Sequence, residues 1–191
     1  MRVRYNAPTT LTFAILAALV LLLSGTIMPG LTESWFSTPA PFHAGEVKDY
    51  IKLFTHALGH ASVDHYISNF SFILLLGPIL EATYGSLTVL VMMFVTALVT
   101  GVLNVLLFPN TILLGASGVV FMMILLASFT NFQKGDIPLT FILIMVIYLG
   151  REVWDAVAQH SNISHFAHII GGLTGSFFGF FKPTRQPAKR A

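Results

Sequence analysis

The hydrophobic positions fall into six runs, at about 9–28, 61–83, 87–108, 115–132, 137–150 and 164–181. Most approach the roughly 20 mainly apolar residues that one membrane-crossing helix needs. The fifth is short as drawn and is expected to run on to about Trp154. Together the runs use most of the 191 residues, so no second soluble domain fits. The pattern predicts one all-α integral-membrane domain over 1–191, a six-transmembrane-helix bundle with a core at about 50–181 and short tails. Arg2 and Arg4 precede the first run, as in a signal peptide. That run nevertheless reaches about 20 residues without a clear small-x-small cleavage site, so it reads as a retained helix.

Composition sharpens this reading. The chain is 55% hydrophobic and 9% charged, against ~25% charged in an ordinary soluble domain. There is no cysteine, which excludes disulfides and thiolate chemistry. The net charge of +2 comes largely from the termini and suggests no nucleic-acid partner. With six spans, Arg2, Arg4, Lys134, Lys182, Arg185, Lys189 and Arg190 share one side, seven of the ten basic residues. Lys48, Lys52 and Arg151 fall on the other. Basic residues accumulate on the cytoplasmic side, so both termini are expected there. All seven histidines then fall on the outer face or in outer half-spans.

The connections are uneven. Residues 29–59 form a long outer loop holding Pro29, Pro39, Pro41, Trp35 and Phe36, whose aromatics suggest a segment at the interface. Loops this long are usually functional or disordered. The outer loop around Arg151–Ser164 is polar and could move. The inner turn Thr83-Tyr84-Gly85-Ser86 is tight. No internal repeat argues for an inverted-repeat transporter.

Polar side chains inside these runs are where chemistry is to be sought. Gly115-Ala116-Ser117-Gly118 opens the fourth run. Its glycines permit close backbone approach, and a helix-start serine has free N–H groups nearby, suited to an oxyanion. The same small residues also suit plain helix packing. His168 opens the last run and could take a proton from Ser117, or simply bond a neighbouring helix. It shares a stripe with Gly171 and Gly175, which would bring that helix close to another. His65 and Asn69 are four apart, on one face, and both can donate to an oxyanion. His60 lies about 140° round the helix from His65, so it points elsewhere and is expected to be structural. His56 and His60 are four apart but lack further metal ligands, so no metal or other cofactor is expected. Glu81 is expected to fix the Gly85-Ser86 turn. Asn104 reads as interhelical glue, and Phe177, Phe178, Phe180 and Phe181 as lipid-facing bulk. No carboxylate is placed to complete a triad, so a Ser–His dyad is the simpler reading.

In the order His60-x4-His65-x3-Asn69, then Gly115-Ala116-Ser117-Gly118, then Ala167-His168-x2-Gly171-x3-Gly175, the chain resembles the rhomboid family of intramembrane serine proteases over about 50–178. Six spans with cytoplasmic termini look like its minimal bacterial form, in the inner (plasma) membrane. The resemblance implies Ser117 as nucleophile and His168 as base. It implies an oxyanion hole of His65, Asn69 and the Ser117 N–H. Glu81 with Ser86 is similar to a structural pair of bacterial members, and the fifth span with its outer loop would form the substrate gate. Transmembrane proteins would be the substrates. Two departures stand out. Ile51-Lys52 occupies the place of a Trp-Arg pair in the first loop, and Phe121 stands where many members have Tyr. A non-catalytic binder or chaperone of transmembrane segments is the alternative, and such a relative would be expected to have lost Ser117 or His168.

Overall fold

The computed structural model describes residues 3–130, 137, 139–150 and 162–181. The described elements are α1 (Pro8–Gly25), α2 (Leu31–Trp35), α3 (Val47–Thr55) with a 3₁₀ turn at His56–Leu58, α4 (Val63–Tyr84), α5 (Ser86–Leu107), α6 (Ser117–Ala127), α7 (Leu139–Ile144) with a π-helical turn at Met145–Leu149, and α8 (Asn162–Phe181). Among the described residues there is no strand. Among the described residues three helices, α1, α4 and α5, are long and apolar enough to cross a membrane. The outer loop after Gly150, the extension to Trp154 and the C-terminal basic cluster lie outside the described residues.

Local chemistry sets the helix ends. Pro8 occupies the first turn of α1, where its missing N–H costs nothing. Ser62 caps α4 by accepting from the His65 N–H at 3.1 Å. Gly85, at φ 86°, is the single residue between α4 and α5, so the Thr83–Ser86 turn is as tight as its sequence suggests. The fourth apolar run begins its helix at Ser117 rather than 115, because Gly115 sits at φ 116°.

Glu81 does more than hold its own turn. Its carboxylate accepts from the Thr10 N–H at 2.7 Å, the Thr10 hydroxyl at 2.6 Å and the Thr9 N–H at 3.2 Å. The Ser86 side chain bonds it too. A carboxylate of α4 thus satisfies donors that the first turn of α1 leaves without an intrahelical partner. One turn away, a Cβ on Gly77 would overlap the Thr10 side chain, so α1 and α4 cross in close contact.

At the centre is α6, apolar all round and buried at every position from Gly118 to Leu126. Against it lies α8, whose glycines make the contact backbone to backbone. A Cβ on Gly171 would overlap the Gly118 carbonyl, and one on Gly175 the Met122 carbonyl. The Phe-rich end of α8 is not wholly lipid-facing bulk. Phe177, Phe180 and Phe181 are exposed, although the Phe180 ring also meets those of Phe129 and Phe141 at 4.9 and 5.5 Å, and Phe178 packs on the core.

The long first loop is a folded layer. The Thr55 hydroxyl donates to the Trp35 carbonyl at 2.6 Å, and the Asp49 carboxylate accepts from the His43 N–H at 2.8 Å. The Lys52 ammonium donates to the Glu33 carbonyl at 3.0 Å. Lys48 sits 4.8 Å from the Trp35 ring centre. Asn104, fully buried, is glue of a kind the sequence did not specify. Among the described residues it joins no second helix but donates to the Thr38 hydroxyl and the Thr111 carbonyl, at 3.1 and 2.8 Å.

Candidate active site

A cavity of about 320 Å³ is lined by His65, Ser68, Asn69, Phe72, Leu113, Leu114, Ser117, Val120, Phe121 and His168. The four polar residues singled out from sequence therefore reach one space from three helices. Ser117 and Phe121 come from α6, His65 and Asn69 from α4, and His168 from α8.

Ser117 is the first residue of α6, with Ala116 at its N-cap. The first N–H groups of a helix have no intrahelical acceptor, so they are suited to a developing negative charge. Gly115 places this turn beside His65. A Cβ there would lie 2.7 and 2.8 Å from Cε1 and Nε2 of the His65 ring. Both the positive φ and the lack of room select glycine. A Cβ on Gly118 would lie 3.1 Å from the Thr100 Cγ2 and 3.3 Å from the Ala167 carbonyl oxygen, a tight but looser fit.

On α8, His168 stacks on Phe121 with ring centres 4.3 Å apart and planes 6° from parallel. The phenyl ring thus gives the imidazole a flat face without a hydroxyl. The glycine stripe anticipated beside His168 is what seats α8 on α6. His165, one turn earlier, has its ring 6.4 Å from that of His168.

On α4, Asn69 is buried and donates one amide proton to the His65 carbonyl at 3.0 Å. An amide has a second proton to give. His65 is half-buried beside it. The helical angle drawn from His65 does not carry to His60. The helix starts only at Val63, so 3.6-residue spacing does not extend to residue 60. Its ring meets that of His65 edge-on at 5.0 Å and packs against Tyr66 and Phe70. Burial pushes the His60 imidazole down to about 4, with the His65 ring acting in the same direction. Glu81, near the other end of α4, and Ser86, which opens α5, do not line the cavity.

Two residues that hold this site were missed. The Thr38 hydroxyl accepts from the Leu113 N–H at 2.7 Å, and the Thr38 N–H donates to the Leu113 carbonyl at 2.8 Å. The His56 carbonyl accepts from the Gly115 N–H at 3.0 Å. Among the described residues, no three His, Cys, Asp or Glu side chains gather as a metal site. Residues 47–185 match the sequence model of the rhomboid domain family. The chain is also 29% identical over 131 residues to Rhomboid-related protein 1 of Caenorhabditis elegans. That match takes in 63% of this chain and 36% of that protein, so the chain spans only part of its relative's length.

Proposed function

The chain belongs to the rhomboid family, whose proteins are integral membrane proteins, and from that premise we propose that it is an intramembrane serine endopeptidase. Family members are generally intramembrane serine proteases, and rhomboid-related proteins include inactive ones. What supports activity here is convergence: a serine, a histidine and two hydrogen-bond donors, spread over more than a hundred residues, line one cavity.

In this reading the Ser117 Oγ attacks the carbonyl carbon of a substrate peptide bond while His168 takes its proton. The resulting oxyanion accepts from the Ser117 N–H, the His65 ring N–H and the free Asn69 amide proton. His168 returns the proton to the leaving amine as the C–N bond breaks, leaving an acyl-serine. Water then attacks that ester with His168 again as base, releasing the acid and restoring Ser117. Phe121 holds the imidazole plane throughout. The substrates are transmembrane helices, which must unwind locally before a carbonyl is open to attack, so segments with Gly, Pro or small polar residues are favoured. Six spans, cytoplasmic termini and a bacterial plasma membrane complete the proposal, resting on the apolar runs and the basic-residue bias. The fifth span and its outer loop serve as the substrate gate.

The test is cleavage of a one-span reporter by purified protein in detergent and in liposomes, beside Ser117→Ala and His168→Ala. Cleavage by the wild type alone is expected. Cleavage retained by Ser117→Ala would remove the nucleophile assignment. No cleavage by any of the three, across several reporters and in liposomes, would favour a non-catalytic binder of transmembrane segments.

A further inference from the structure

His56 is buried to 2% exposure, yet it lines no part of the cavity. Its ring makes one polar contact, from Nε2 to the Ala97 carbonyl of α5 at 3.0 Å. Among the described residues Nδ1 has no hydrogen-bond partner, so the proton resides on Nε2, which donates. Burying an imidazole with half its polar capacity unmet costs free energy that leucine would not. Packing alone therefore gives no reason for histidine at this position.

Its backbone supplies the reason. The same residue's carbonyl accepts from the N–H of Gly115, two residues before Ser117. Two hydrogen bonds in series thus connect α5 to the turn that carries the serine: Ala97 C=O to the His56 ring, then His56 C=O to Gly115 N–H. The connection bears on the site directly, because the Gly115 backbone stands against the His65 ring. α5 supports the same turn a second time, one helical step on, where Thr100 meets Gly118.

We infer that His56 is a positioning residue: its Nε2–H bond to α5 fixes the Gly115 N–H acceptor, and through it the distances among Ser117, His65 and the reacting carbonyl. This inference rests on the reading of Ser117 as nucleophile. Small misplacements at such a site are costly even when nothing reactive is removed.

The test compares His56→Gln, whose amide nitrogen can reach the Ala97 carbonyl, with His56→Leu, which has no donor, and His56→Asn, whose donor is too short to reach. Each variant is assayed well below its own measured Tm. One readout is the rate of Ser117 labelling by a small fluorophosphonate, and the other is kcat and KM on the transmembrane reporter. Labelling and kcat are expected to fall at least about tenfold in His56→Leu and His56→Asn, with KM nearly unchanged and His56→Gln close to wild type. If His56→Leu does not fold, the Asn and Gln pair carries the comparison. Wild-type labelling rates in Leu or Asn with only a lowered Tm, or a Gln variant as slow as Asn, would overturn the inference and leave the protease reading intact. A wild type that neither labels nor cleaves would instead refute the protease reading, and the inference with it.

Discussion

Replacing Gly115 by alanine tests the oxyanion assignment without touching any reactive group. The new Cβ would stand 2.7 Å from the His65 Cε1 and 2.8 Å from Nε2. Carbon pairs settle at about 3.5–4.0 Å, so the ring must retreat by roughly 0.8 Å. A donor to an oxyanion works at roughly 2.7–3.1 Å, and a retreat of that size takes it out of range. Losing one such donor costs about 10²–10³ in turnover, or roughly 2.7–4 kcal/mol of barrier. The φ of 116° adds strain on the order of 1–3 kcal/mol to the folded state. Against a typical total of about 5–15 kcal/mol, the variant should still fold. The assay is kcat/KM on a transmembrane reporter with Tm measured in the same detergent, repeated in a His65→Ala background. There the alanine has no ring to displace, so its catalytic cost should nearly vanish while its effect on Tm persists. An equal catalytic loss in both backgrounds would refute the argument that Gly115 acts through His65.

Four further outcomes are expected. Gly171→Val forces α8 off the Gly118 backbone and should both lower Tm and abolish cleavage, since overpacking of this kind costs about 1–3 kcal/mol; unchanged Tm would remove the close-contact argument. Glu81→Ala leaves the Thr9 and Thr10 donors unpaired, at about 1–3 kcal/mol for each buried group, and thermal unfolding should show Glu81→Gln losing less. Phe121→Ala removes the ring stacked on His168, worth about 0.5–1.5 kcal/mol, and kcat should fall a few-fold to tenfold while Phe121→Tyr stays close to wild type. His56 and His60 are held by burial at about 4 against an ordinary 6.5. Below 6.5 the unfolded chain takes up their protons and the folded chain does not, so stability should fall as the pH drops from 6.5 to about 4. Each contributes at most roughly 3 kcal/mol, and Tm measured across that range should slope less in His56→Gln.

His65, Asn69, Ser117 and His168 were legible because each is a polar group within an apolar run. His65 with Asn69, and His168 with Gly171 and Gly175, repeat at helical spacing, so a shared face could be read directly. What escaped is what acts across the chain. Thr38 reaches a backbone amide 75 positions away, and Glu81 a helix start 71 positions away. Neither partner is marked by local pattern. His60 failed differently, since the periodicity argument carried a helix past the Ser62 cap that ends it. The fourth helix starts at Ser117, as read from the sequence, although its apolar run opens two residues earlier, because Gly115 takes a conformation that no helix has.

The short α6 and the long first loop answer one another. Eleven residues span roughly 16 Å at 1.5 Å each, about half of a hydrocarbon core of roughly 30 Å. In the proposed protease, a serine opening so short a central helix would be recessed within the bundle, and the chain leading to it would run below the membrane surface without helical hydrogen bonds. Irregular backbone at that depth is tolerated only where protein satisfies its polar groups. Those partners are present: Thr38 for both polar groups of Leu113, Asn104 for the Thr111 carbonyl, and His56 for the Gly115 N–H. Two of the three come from the first loop, which is itself held by Lys52, Thr55 and Asp49. The loop's length is therefore a structural requirement of the recessed serine, and substitutions at Thr38 or His56 should perturb Ser117 before they perturb the helices of the bundle.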